Sequence, residues 1–172
     1  MRSRAGRFAI VGLLILLPLL LQQIDDYILH IAIIIGIYAI LSLSLNVIVG
    51  YAGQFALGHA AFYGIGAYTA ALLMLHGSAS FWLALAAAAA VTGLFGLLLG
   101  SPVIRLRGDY LGIVTLGFGE IVRLIFVNWV DVTRGPMGLP GIPAPSLFGH
   151  AFTEKIEFYY LILALVLLTY FI

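Results

Sequence analysis

An acid and a base three residues apart, in the middle of an otherwise apolar run, are the residues here with most capacity for chemistry. Glu120 and Arg123 lie inside the run from Tyr110 to Val130. At ~1.5 Å of helix rise per residue, Glu120 sits ~15 Å beyond Tyr110, near the middle of a ~30 Å hydrocarbon core. The i,i+3 spacing puts both on one helical face. Charges at that depth are expensive and face protein or water, so both side chains are expected to point into a bundle. Two readings stay open: a polar element of a solute path or gate, or an ion pair that fixes helix register. Gly112, Thr115 and Gly119 form one stripe of the same helix, where small residues let a neighbouring backbone approach. Gly108 with Gly112, and Gly96 with Gly100, are G-x-x-x-G pairs, and with Gly119 they read as helix-packing residues.

The second unusual stretch runs from Gly50 to Tyr68 and carries no Asp, Glu, Lys or Arg. Gly50 and Gly53 favour an interruption of helix, and Ala56, Ala60 and Gly64 keep a small-residue face. Backbone freed by such a break survives at membrane depth only where protein or a water-filled cavity covers it. Discontinuous helices of this kind often form solute sites, with backbone groups exposed near Gln54. The plainer alternative is a tight cytoplasmic turn between two ordinary helices. Asn46 and His59 are expected to be interhelical hydrogen-bond partners. The candidate pathway residues are therefore Asn46, Gly50, Gln54, Thr115, Glu120 and Arg123.

No hydrolytic or redox constellation accompanies them. There is no phosphate-binding G-x-x-x-x-G-K-[ST], no H-E-x-x-H and no G-x-S-x-G. His30, His59, His76 and His150 lack metal-ligand spacing. Cysteine is absent, which removes disulfides, thiolate metal sites and Cys nucleophiles. No metal or catalytic residue is expected, and any energy source must lie in a partner or a gradient.

The elements that position these residues follow from composition. Hydrophobic residues make up 63% of the 172, and charged residues only 9%. Soluble domains carry about 25% charged residues, so this chain cannot clothe a water-facing surface. Eight Lys and Arg against seven Asp and Glu leave no basic patch for nucleic acid. The expected fold class is all-α, one polytopic membrane helix bundle over residues 1–172, with about six transmembrane helices. The apolar runs are Phe8 to Leu21, Tyr27 to Val49, Gly58 to Leu75, Phe81 to Leu99, Tyr110 to Val130, and one that opens near Ile156. The first is read as an anchor rather than a cleaved signal, since no small-x-small site follows it. The last is still apolar at Ile172, which reads as a truncation at the C-terminus.

Arg2, Arg4, Arg7, Arg105 and Arg107 fall on one side of such a bundle, against Arg134 and Lys155 on the other. The positive-inside bias then makes the N-terminus cytoplasmic. The long connection from Asp131 to Lys155 is dense in Gly and Pro around residues 133–143, so turns are expected there and helix is not. It reads as an external connector, or as a mouth facing a delivery protein.

Two of these stretches are familiar as wholes. Residues 45–68, Leu-Asn-Val-Ile-Val-Gly-Tyr-Ala-Gly-Gln-Phe-Ala-Leu-Gly-His-Ala-Ala-Phe-Tyr-Gly-Ile-Gly-Ala-Tyr, resemble the signature of permease subunits of branched-chain amino acid ABC importers. Residues 105–123, Arg-Leu-Arg-Gly-Asp-Tyr-Leu-Gly-Ile-Val-Thr-Leu-Gly-Phe-Gly-Glu-Ile-Val-Arg, are similar to the LivM-type subunit, as is the loop from Thr133 to Ile142. The resemblance covers about residues 42–143. It implies a transport subunit of the bacterial inner membrane, not an enzyme, with a homologous second permease, two cytoplasmic ATPases and a periplasmic binding protein as partners. It implies no cofactor on this chain, ATP being bound by the ATPases. Family permeases are considerably longer, so the chain corresponds to an N-terminal portion. The alternatives are a passive small-solute channel, a urea- or amide-type ABC permease, or an inactive permease fragment.

Overall fold

The computed structural model describes residues 26–171, except positions 55, 78, 104–108, 148, 149 and 153. The run from Phe8 to Leu21, the arginines at 2, 4, 7, 105 and 107, and Gly108 lie outside the described residues. Helix dominates what is described. The elements are α1 (Asp26–Ala52), α2 (His59–His76), α3 (Phe81–Val103), α4 (Asp109–Asn128), a one-turn α5 (Val130–Thr133) and α6 (Lys155–Phe171). Three described stretches are long and apolar enough to cross a membrane: Tyr27–Tyr51, Phe81–Ser101 and Tyr110–Asn128. Helices α2 and α6 are shorter, at 18 and 17 residues.

These segments form helices because apolar side chains fill every face and the backbone must bond to itself in lipid. Helix α3 adds the run Ala86 to Ala90, the residue type of highest helix propensity. Its start is marked by Ser80, whose hydroxyl accepts from the Leu83 amide at 3.4 Å. Helix α2 ends at Gly77, whose amide reaches back to the Leu73 carbonyl at 3.0 Å.

The connection after α4 departs from the turn-only expectation. Gly135–Met137 is one turn of 3-10 helix, with a proline in its first turn. Proline fits there because the first amides of a helical turn have no internal partner to lose. Arg134, at φ 56°, reverses the chain between α5 and this turn. Two-residue strands, β1 (Ser146–Leu147) and β2 (His150–Ala151), pair antiparallel with Ser146 opposite Ala151 and Leu147 opposite His150. They are the small exception to the all-α expectation. The Trp82 indole N–H donates to the Ser146 carbonyl at 2.9 Å.

The described residues divide into two compact units, residues 26–43 with 152–171, and residues 44–151. In the first, Leu29 of α1 is buried with Tyr159 and Leu163 of α6, surrounded by Ala32, Ile33, Ile156 and Leu167. In the second, Ala61 and Ile65 of α2 are buried with Val122 of α4, and Val91, Phe118 and Phe126 pack against them.

Candidate functional site

The second unit contains an interrupted helix docked against α4. Helix α1 continues through Gly50 and stops at Ala52. Gly53 takes φ 61°, a left-handed conformation that glycine reaches without a Cβ penalty. Its amide closes the last turn on the Val49 carbonyl at 3.1 Å. Helix then resumes only at His59. Helix is thus interrupted from Gly53 to Gly58, with Gly50 still helical, an arrangement shared by a broken helix and by a tight turn between two ordinary helices.

The far end of the break is pinned to the middle of α4. The Leu57 amide donates to Thr115 Oγ1 at 3.1 Å. The same hydroxyl donates backward along α4, with Leu111 O at 2.9 Å and Gly112 O at 3.0 Å. Gly58 presses on the Thr115 backbone so closely that a Cβ there would overlap the Thr115 carbonyl. A Cβ on Gly119 would lie 3.3 Å from Gly58 Cα. One turn into α2, Gly64 leaves room for the Phe126 ring, which a Cβ would meet at 2.8 Å. Phe126 also stacks on Tyr68 with centroids 4.3 Å apart. Small residues and one polar bond together set how closely α2 and α4 approach.

A second polar contact crosses the break on its other side. Ser44 Oγ and His59 Nε2 are 2.7 Å apart, a hydrogen bond that joins α1 to the start of α2. His59 Nδ1 is buried with no partner among the described residues. The expectation of an interhelical bond at His59 is met in this way. Asn46 Oδ1 lies on α1 beside Gly50, 3.6 Å from where a Cβ on that glycine would be.

Between α2 and α4 runs an open groove of about 310 Å³. Its floor is small and apolar, with Gly58, Ala61 and Gly64 among its lining, and Glu120 and Arg123 stand on its α4 side. The pair is joined twice: Arg123 Nε donates to Glu120 Oε2 at 2.9 Å, and Nη2 to Oε1 at 2.6 Å. Such two-point pairing is the strongest geometry available to these groups. The side chains are 54% and 60% exposed for Glu120 and Arg123, not turned into the packed interior as expected. The reason lies in the i,i+3 spacing: the pair neutralises itself along one helix and needs no burying partner in this unit. In a span flanked by exposed Leu116, Ile121 and Leu124, it gives one face of α4 a polar centre.

Of the six candidate pathway residues, the structure brings Glu120 and Arg123 to the groove and places Thr115 behind it, buried. Gln54 is half-buried within the break, and Asn46 and Gly50 are exposed on the last turns of α1. Among the packing glycines, Gly112 is buried and Gly119 meets Gly58. A Cβ on Gly96 would sit 4.0 Å from Phe62 and one on Gly100 would meet nothing, while Gly108 is outside the described residues. Sequence reading did not single out Gly58, Phe126 or Ser44. Each acts through a partner on a different helix, and no local pattern marks such pairings.

Three apolar helices of membrane-spanning length among the described residues, one with a self-paired charge near its middle, define a multi-pass helical membrane protein. Residues 27–172 match the family described as the branched-chain amino acid transport system permease component, and the chain belongs to that family. The chain is 54% identical over 119 residues to the high-affinity branched-chain amino acid transport system permease protein LivM of Salmonella typhimurium. It is 53% identical over 118 residues to the protein of the same name from Escherichia coli. Each match covers 69% of this chain and 28% of the relative, so the chain spans well under half the length of the curated relatives it matches. No solved structure matches it.

Proposed function

We propose that this chain forms part of a permease subunit of an ABC importer for branched-chain or other small amino acids in the bacterial inner membrane. Its partners in this reading are a homologous permease, two cytoplasmic ATPases that bind and hydrolyse ATP, and a periplasmic binding protein. The N-terminus is cytoplasmic in this reading, which the arginine bias supports. The observation that carries the reading is the groove between α2 and α4. It joins a small apolar floor, suited to an aliphatic side chain, to an exposed ion pair suited to a zwitterionic head group. Glu120 and Arg123 steer the charged end of the solute, while ATP hydrolysis on the partners switches the bundle between inward- and outward-open states.

Leucine uptake into vesicles holding the complete importer tests this directly. Uptake should require ATP and the ATPase subunits. Uptake that persisted without them would instead establish a passive channel. In the same vesicles, Glu120→Gln and Arg123→Gln should each lower uptake about tenfold, because either change removes one of the two charges that receive the zwitterionic head group. Unchanged uptake in both variants would assign the pair to helix register alone.

A further inference from the structure

We infer that Thr115 is a positioning residue: by holding the Leu57 amide, its hydroxyl fixes the broken segment as a wall of the groove and so sets the affinity of the path for its solute. The inference rests on the reading of the groove as part of a solute path. Its geometry does not depend on which solute passes.

Leu57 lies at the resumption of helix, where amides have no carbonyl one turn back to bond. An amide of this kind in lipid or in a protein interior must find a partner. Here it finds a side chain on another helix, 58 positions along the chain. Thr115 is buried, its one hydroxyl proton lies toward the Leu111 and Gly112 carbonyls, and a lone pair accepts from Leu57. It does not line the groove, so its action on the path is indirect.

What it holds, however, is the path's wall. Leu57 and Gly58 line the groove from the break, and Glu120 and Arg123 line it from α4, five and eight residues beyond Thr115. The close approach of Gly58 to the Thr115 backbone leaves the break little freedom except to lift away from α4. Removing the hydroxyl removes the bond that opposes that motion. The groove then widens beside the ion pair, and solute contacts on its two sides no longer coexist.

Thr115→Val and Thr115→Ser separate the hydroxyl from the volume it occupies. Valine keeps the branched shape and removes the acceptor, whereas serine keeps the acceptor. In the complete importer, amide hydrogen exchange over residues 54–58 should quicken by roughly three- to tenfold in Thr115→Val, as expected for one lost hydrogen bond. Leucine KM should rise by a similar factor, with maximal uptake per assembled complex unchanged. Thr115→Ser should restore both values. Unchanged exchange in Thr115→Val would overturn the clamp. Faster exchange with an unchanged KM, or a loss confined to the amount of assembled protein, would overturn its bearing on the path. Failure of the unaltered importer to take up leucine would sink the functional reading instead, while the exchange measurement still decides the clamp.

Discussion

The contact of α1 with α6 and the seam of α2 with α4 are both helix–helix interfaces, and they mix large apolar side chains with close-packed glycine in different proportions. The first joins Leu29, Tyr159 and Leu163 within a ring of aliphatic neighbours, with Gly36 making room for Ile162. The second relies on Gly58, Ala61, Gly64 and Gly119, and it adds the bond from Leu57 to Thr115. Burying apolar side chains against one another gains little over burying them in lipid, because lipid tails are as apolar as leucine. An interface of large aliphatic residues therefore gains mainly from dispersion and tolerates exchange of similar shapes. One made by close backbone approach, with an amide that must be satisfied, permits a single register. The difference teaches which seam is built for accuracy, and it is the seam that carries the ion pair.

Substitutions should break that contrast in a graded order. Gly58→Val is expected to have the largest effect, because its side chain would overlap the Thr115 carbonyl, which cannot swing aside. Loss of nearly all assembled importer or of its leucine uptake is the outcome expected in vesicles. Gly64→Leu comes next. It meets the Phe126 ring, and a ring can rotate or be trimmed. Its uptake should be strongly reduced and largely recovered in the double variant Gly64→Leu with Phe126→Ala, whereas Gly58→Val gains nothing from Phe126→Ala. Smallest is Leu163→Met in the α1–α6 contact, a swap of similar volume expected to cost less than about 1.5 kcal/mol. Thermal unfolding of the purified complex should barely register it. A Leu163→Met effect as large as that of Gly64→Leu would erase the contrast.

The same contrast explains what was legible in the sequence. The break could be read because glycines cluster within one short uncharged stretch, and the charge pair because its depth follows from counting residues. Which glycine turns the chain could not be read. Gly50 and Gly53 are chemically alike, and only the folded backbone shows that Gly53 takes φ 61° while Gly50 stays helical. The pairing of Glu120 with Arg123 could be read from their i,i+3 spacing, but the exposure of both groups depends on which helices pack beside α4 and could not. Thr115 stood out as the polar member of a small-residue stripe, yet its bond to Leu57 depends on how α2 docks. The loop after α4 read as turns throughout, and the proline that argued against helix instead opens a 3-10 turn. Thr133 is more informative in hindsight. It is 2% exposed, its hydroxyl donates to Phe126 O at 2.6 Å and Trp129 O at 2.8 Å, and it accepts from the Gly135 amide at 3.1 Å.

The central claim is that the groove between α2 and α4 belongs to a water-filled solute path rather than a lipid-facing surface. These 172 residues hold no cysteine, so in an importer cleared of its other cysteines a thiol introduced here reports on one place alone. Ala60 is exposed and lines the groove, whereas Leu97, 73% exposed on α3, stands on an apolar helix. A thiolate forms and reacts only where water reaches it. In the complete importer, Ala60→Cys should therefore react with a membrane-impermeant maleimide, and saturating leucine with the binding protein should slow that reaction. Leu97→Cys should stay inert under both conditions. If Ala60→Cys proved as unreactive as Leu97→Cys, the groove would be closed to water and the account would fail.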